Sequence, residues 1–234
     1  MTKKLIGSAI TNKEGIATIT YTGTGAGEIK IYAEAGDLRS DSVTIYDIGQ
    51  EVITPDLNTI ATTTRMGTPT KSNGIVSGRG YTFTEGWDNT GLWQCDFEVS
   101  FDNQRYAGIC FWTEAGRYCD TESRFPAIRT FEGSWNANIV NLPSGYTQTY
   151  KNDTNYATWQ SGAIGWFDVH IKKDAPDHLV IWSDAKNKTC EVTSDYLSVP
   201  NKVTCGGVAN GNDYGNFGKT KIRNLTVTVK TCKS

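Results

Sequence analysis

The residues able to do chemistry are few, and their types point to binding rather than catalysis. Only two histidines occur, His170 and His178. His170 alternates with apolar neighbours, the pattern of a packed or surface position on a strand. The sequence has no Gly-x-Ser-x-Gly elbow, no phosphate-cradling glycine loop and no His-Glu-x-x-His. Gln94-x-Asp96-x-Glu98 puts two acids on one face of a strand. Paired carboxylates about 5–9 Å apart would suit glycoside hydrolysis. A solvated or hydrogen-bonded strand face is the commoner use of such a pair, so we expect no catalytic residues and no enzyme activity.

Recognition of a sugar asks for less. A ring stacks on the apolar face of a pyranose, while Asn, Asp and backbone amides bond the hydroxyls. Phe131–Phe167 carries eight aromatic residues in 37, interleaved with Ser, Asn, Gly, Thr and Gln, whereas the whole chain is 11% aromatic. Strand signals are weak across Pro143–Gly162. We therefore expect an exposed loop whose contacts are Trp135, Tyr146, Tyr150, Tyr156 and Trp159. The loop 209–217 has the same texture and adds Asn212, Asp213 and Tyr214 to the rim. The competing reading is that these rings fill the core of a small sandwich.

Metal signals are thin. No Cys-x₂₋₄-Cys pair exists, so a zinc site is not expected. Asp174, Asp177 and Asp184, and separately Asp102-Asn103, are the nearest approach to a calcium site, without the dense oxygen spacing one needs. We expect no resident cofactor, calcium being the one ion left open. The sequons at Asn152, Asn187 and Asn224 recur often by chance, and Asn224 falls within a strand pattern.

Such contacts need a rigid scaffold. The 234 residues contain Gly 24 but Pro 6 and Met 2, and they abound in Thr, Ser, Asn, Tyr and Trp. This composition suits pleated strands joined by turns. The net charge of −2 and the lack of any basic cluster argue against nucleic acid and against an anionic membrane surface. No apolar run approaches the 18 residues of a membrane span, and the first 15 residues lack the apolar run of a signal peptide.

Two textures divide the chain. Residues 1–47 hold no Cys, Trp or Pro, residues 48–56 read as a linker, and residues 57–234 hold six cysteines and seven tryptophans. In the first part, Gly15–Tyr21, Glu28–Ala33 and Ser42–Tyr46 alternate as strands. In the second, Trp93, Cys95, Phe97, Val99 and Phe101 face one way and Gln94, Asp96, Glu98, Ser100 and Asp102 the other. Further strands are expected at Tyr106–Trp112, Trp166–Lys172, His178–Ser183, Lys188–Ser194, Asn201–Gly206 and Thr220–Lys230, the last with an irregularity before Leu225. Many short strands at turn-marked intervals indicate a two-sheet sandwich.

The pattern Asn12-x-x-Gly-Ile-Ala-Thr-Ile-Thr-Tyr-Thr-Gly23, then Gly-x-Ile-x-Ile-x-Ala33, then Ser-x-Ser-Val-Thr-Ile45 resembles the C-terminal half of an intimin/invasin-type immunoglobulin-like repeat. That resemblance implies a partial repeat at residues 1–47. The second part resembles the concanavalin A-like lectin/glucanase (laminin G-like) jelly roll. The residues that carry it are Gly91-Leu-Trp93-x-Cys-Asp-Phe-Glu-Val99, Phe167-x-Val-x-Ile-x-Lys173 with His178-Leu-Val-Ile-Trp182, and the final strand to Val229. The combination is similar to adhesin-like proteins of methanogenic archaea and their tailed viruses. Glucanases of this fold carry Glu-x-Asp-x-Glu along one strand, and Gln94 breaks that pattern here.

Six cysteines are compatible with an oxidised, extracellular framework and allow 15 pairings. Cys110 and Cys119 fall opposite each other across a turn at Glu114-Ala115, and Cys190 and Cys205 flank a strand–loop–strand unit. The jelly-roll resemblance places the early and final strands side by side, which implies Cys95–Cys232. The expectation is an all-β jelly-roll sandwich acting as a non-catalytic adhesin or receptor-binding tip. Its partner would be a cell-surface glycan or another host receptor. It would sit at a cell or virion surface, within a larger or multivalent assembly. A glycoside hydrolase of the same fold and a structural interaction module are the alternatives.

Overall fold

The computed structural model describes residues 5, 7–19, 27–64, 66–102, 107–117, 125–131, 135–153, 165–199, 201–208 and 218–232. The chain divides into two compact units, residues 1–49 with 232–234, and residues 50–231.

In the first unit the strands are β1 (Gly27–Ile31), the hairpin of β2 (Glu34–Ala35) and β3 (Leu38–Arg39), and β4 (Val43–Ile53), which continues into the second. β1 pairs antiparallel with β4, Ile29 opposite Ile45. Residues 48–53, expected as linker, are part of β4. The strand expected from Gly15 is absent over residues 15–19. There the Asn12 carboxamide accepts the amides of Glu14 and Ile16 and closes a turn. Ile16 and Ile19 stay 57% and 44% exposed. Alternation makes a strand only where another strand takes up its backbone hydrogen bonds.

The second unit is an all-β, two-sheet jelly-roll sandwich. Its strands are β5 (Thr62–Thr64), β6 (Thr70–Ser72), β7 (Ile75–Gly78), β8 (Tyr81–Phe83), β9 (Trp87–Asp88), β10 (Leu92–Phe101), β11 (Gly108–Glu114), β12 (Ala127–Phe131), β13 (Ile139–Val140), β14 (Gln148–Lys151), β15 (Phe167–Ala175), β16 (His178–Ser183), β17 (Lys188–Ser194), β18 (Lys202–Val208) and β19 (Thr220–Cys232). The large sheet runs β19-β10-β15-β16-β17-β14, with β7 on β19 and β6 on β7. The second runs β13-β12-β11-β18-β8-β5, with β9 on β18. The expected neighbourhood of early and final strands holds, with Trp93 opposite Val229.

Between the sheets, inward positions form rows, such as Val227, Cys95, Ile171, Ile181 and Cys190 across five strands. All five are at most 1% exposed. Trp87 meets Trp93 edge-on at 5.2 Å, and Phe111 meets Trp135 at 5.9 Å.

One inward position is a lysine. Lys173 stands between Trp93 and Leu179 in its row and is 1% exposed. Its Nζ donates to the carbonyls of Asn89 at 2.5 Å and Leu197 at 2.8 Å. Burial pushes its amine down to about 8, against a smaller opposing pull from Asp88. The unfolded chain keeps an ordinary lysine, so above about pH 8 it binds the proton that the folded state has released. Stability contributed by Lys173 therefore rises with pH until the unfolded amine also titrates. We expect the stability of the protein relative to Lys173→Met, from urea titrations, to grow by about 2 kcal/mol between pH 7.5 and 10. A difference that stays flat would contradict the assignment.

Candidate functional site

The outward positions of the large sheet gather charged and aromatic side chains. Asp96, His170 and Trp182 fall in one row across β10, β15 and β16, and Glu98 and Asp168 are paired in the next. Arg223 reaches the same patch from β19, opposite Glu98. The expected irregularity is a bulge there, where the register shifts between Asp96 and Glu98 and Asn224 takes φ 55°. Bulges of this kind re-aim the side chains around them.

The imidazole of His170 lies between two carboxylates. Nδ1 is 2.6 Å from Asp96 Oδ1, and Nε2 is 3.0 Å from Asp168 Oδ2. Asp184 Oδ2 stands 3.9 Å from Nε2. Burial acts against the Asp168 carboxylate. The backbone amides of Ala185 and Asp184, with a smaller pull from His170, outweigh it and hold the acid below its usual range. Asp96 also accepts the Gln94 amide at 2.9 Å. Glu98 takes the Arg223 guanidinium and the Asn224 amide, and Arg223 lies 4.2 Å over the Trp166 ring.

The carboxylates of the Gln94-x-Asp96-x-Glu98 strand are thus each held by neighbours of opposite charge or by amides. Asp168, His170 and Asp184 bring donor atoms within 4.8 Å of one another, a grouping that could hold a metal ion. Asp168 is already committed to two amides and the imidazole. Of the acids weighed for calcium, Asp184 belongs to this grouping, while Asp174 pairs with His178 at 2.6 Å and Asp102 with Lys221 at 2.6 Å.

Trp182 completes the patch. One face of its indole stacks on His170, centroids 4.9 Å apart and planes 22° apart. Its cross-strand neighbour on the other side is Thr189, a small and exposed residue. A flat apolar face beside short hydroxyl and carboxylate groups is the arrangement a pyranose needs.

The expected contacts divide. Trp135 is a correction: it is 3% exposed, packs on Phe111, and its Nε1 donates to the Ile181 carbonyl at 3.4 Å. A bridge to Asp153 draws its backbone onto the sandwich. Tyr146 and Tyr150 are 38% and 54% exposed, as expected. Tyr146 rests edge-on against Tyr196 at 4.9 Å, and Tyr196 against Trp112 at 5.6 Å, so this ledge is footed on the core. Burial, then Glu114 and Tyr146, raise the Tyr196 phenol above its usual range. Tyr156, Trp159, Asn212, Asp213, Tyr214 and Cys119 lie outside the described residues.

The cysteine pairings also divide. Cys95 is opposite Val227, five residues before Cys232 on β19, a separation of about 16 Å at strand rise. The structure does not bring that pair together. Cys190 and Cys205 are unbonded and lie on different sheets, on β17 and β18. Burial, then Asp153 and Glu191, raise the Cys190 thiol well above its usual range. The Cys110–Cys119 pairing falls outside the described residues.

The signal for the missed patch is present in the sequence. The alternation that turns Val169 and Ile171 inward turns Asp168 and His170 outward, and His178–Ser183 does the same for Trp182.

No family model and no curated protein matches the chain. Among solved structures it is similar to arcelin-5, a lectin-like defence protein of Phaseolus vulgaris (8% identity, 80% of this chain and 99% of that one, TM-score 0.45). It is similar to the CBM2 module of the evolved Dit of Lactobacillus casei BL23 phage J-1 (13% identity, 80% and 92%, TM-score 0.44). It is also similar to alginate lyase AlgAT5 of polysaccharide lyase family 7 (10% identity, 73% and 76%, TM-score 0.42). At these identities and scores the likenesses say nothing of this chain's own ligand.

Proposed function

We propose that the jelly roll is a non-catalytic carbohydrate-recognition domain of a surface or virion adhesin, holding a glycan on the outward face of its large sheet. The observation that carries this reading is the Trp182 indole, stacked on one side by His170 and flanked on the other by Thr189. A sugar ring laid against that second face meets the carboxylate and amide groups of the neighbouring rows. Asp96 and Glu98, engaged by His170, Gln94, Arg223 and Asn224, fit a recognition surface better than an acid–base pair. Single-site affinity of this kind is weak, and attachment at an extracellular surface would draw its strength from repeated copies.

The exposed Tyr146 and Tyr150 support a second contact surface, the ledge expected from the sequence. One experiment separates the two. A glycan array identifies the oligosaccharide class, and calorimetry on that oligosaccharide compares Trp182→Ala with Tyr150→Ala. Loss of one stacking ring is expected to weaken binding about thirtyfold, the equivalent of the roughly 2 kcal/mol at which an aromatic hot spot begins. If Trp182→Ala binds as well as the parent while Tyr150→Ala loses affinity, the ledge is the site. Reducing sugar released by the parent and abolished in Glu98→Gln would instead make the protein a hydrolase.

A further inference from the structure

We propose that Asn187 is the acceptor of an N-linked glycan. Three stretches carry the acceptor pattern Asn-x-Ser/Thr, at Asn152, Asn187 and Asn224. The fold treats them differently. The Asn152 carboxamide is half-buried and occupied: its Oδ1 accepts the Ala137 amide at 2.8 Å, and its Nδ2 donates to Asn138 Oδ1 at 3.4 Å. Asn224 Nδ2 donates to Glu98 Oε2 at 3.1 Å. Its strand is paired on both sides there, Arg223 lying opposite both Glu98 and Ile75. A glycan on either asparagine would displace a hydrogen bond that the fold uses.

Asn187 has no such duty. It ends the connection 184–187 between β16 and β17, where Ser183 stands opposite Lys188. Backbone groups hold that turn: the Asn187 amide donates to the Asp184 carbonyl at 3.1 Å, and Asp168 accepts the amides of Asp184 and Ala185. Among the described residues, neither the Asn187 carboxamide nor the Thr189 hydroxyl makes a hydrogen bond, and both residues are exposed. The φ of 48° at Asn187 accounts for an asparagine, which tolerates the left-handed region, but glycine would serve as well. The turn makes no demand for a hydroxyl at Thr189, and the acceptor pattern does. The donor is a lipid-linked oligosaccharide pyrophosphate, met at the extracellular location proposed above, on which the assignment rests. Asn187 Nδ2 attacks the anomeric carbon of the first sugar. The N–C bond forms, and the C–O bond breaks with its electron pair leaving on the lipid pyrophosphate. The amide proton passes to a base of the transferase. Thr189 is opposite Trp182, so the glycan would mark the end of the hairpin that carries the proposed recognition face.

The test presents the folded full chain to a single-subunit oligosaccharyltransferase and a lipid-linked oligosaccharide, so the result does not depend on where the protein resides in nature. Intact mass and peptide mapping read the product. One glycan, at Asn187, is expected. Asn187→Gly, which keeps the turn, and Thr189→Val, which keeps a β-branched strand residue, should each lose it wholly, and Thr189→Ser should retain it. Urea midpoints matching the parent show that the variants are folded. A free peptide of residues 184–191 is treated alongside. A glycan at Asn152 or Asn224 in place of Asn187, a glycan retained in Thr189→Val, or a protein left unmodified, whether or not the peptide is modified, would overturn the proposal.

Discussion

Asn89→Ala is expected to cost about 3–5 kcal/mol of folding stability, read as a shift of the urea midpoint by tryptophan fluorescence. Asn89 is fully buried, and its side chain serves three partners. Its Nδ2 donates to the carbonyls of Leu197 at 2.8 Å and Val199 at 3.3 Å, and its Oδ1 accepts Trp93 Nε1 at 3.1 Å. Alanine orphans the Trp93 N–H, which is 2% exposed, and weakens the hold on the 3-10 turn Asp195–Ser198. The Leu197 carbonyl keeps Lys173, so the loss stays short of three full orphans. Each unsatisfied buried group costs about 1–3 kcal/mol. The consequence extends to the surface, because that turn carries Tyr196, on which Tyr146 rests. A loss below about 1 kcal/mol would mean that water or side-chain relaxation replaces these bonds, and the account of the site's foundation would fail.

Gly206→Ala should be comparably damaging, at about 4 kcal/mol or insolubility. β18 is held between β11 and β8, with Gly206 opposite both Cys110 and Thr82. A Cβ there would run into the Tyr81 carbonyl oxygen and lie 2.6 Å from the Thr82 Cα. Both are backbone atoms of a paired strand, so no rotamer relieves the clash. Separation of β8 from β18 is the only relief, and it would expose Tyr81 and Phe83, now 0% and 1% exposed. Gly165→Ala is the matched control. Nothing lies within 4 Å of a Cβ at Gly165, so a change within about 0.5 kcal/mol is expected. A soluble Gly206→Ala protein with parental stability would show that β18 is less constrained than these contacts require.

The strands of the jelly roll were legible where two independent signals coincided. β16 and β17 span His178–Ser183 and Lys188–Ser194 as expected, because strict alternation there is bounded by turn residues, Asn187 among them with φ 48°. The bulge at Asn224 was legible as a break in the apolar period before Leu225. The alternation after Gly15 misled, because period 2 reports which side chains could share a face, and not whether a partner strand exists to pair with. Aromatic density misled at Trp135 for a related reason. Composition counts rings but does not say which of them the neighbouring strand draws inward. The same density did find Tyr146 and Tyr150, which stay exposed at the edge of the sheet.

By itself the sequence determined the fold class, the face on which each residue of β10, β15 and β16 lies, and the lack of any recognisable catalytic motif. These are consequences of local alternation, which acts over a few residues. Tertiary structure alone decided which outward residues meet, and so set His170 between Asp96 and Asp168 and Trp182 against His170. Partners on separate strands or sheets are chosen by strand order, register and the packing of one sheet on the other, and none of these is a property of residues close in sequence.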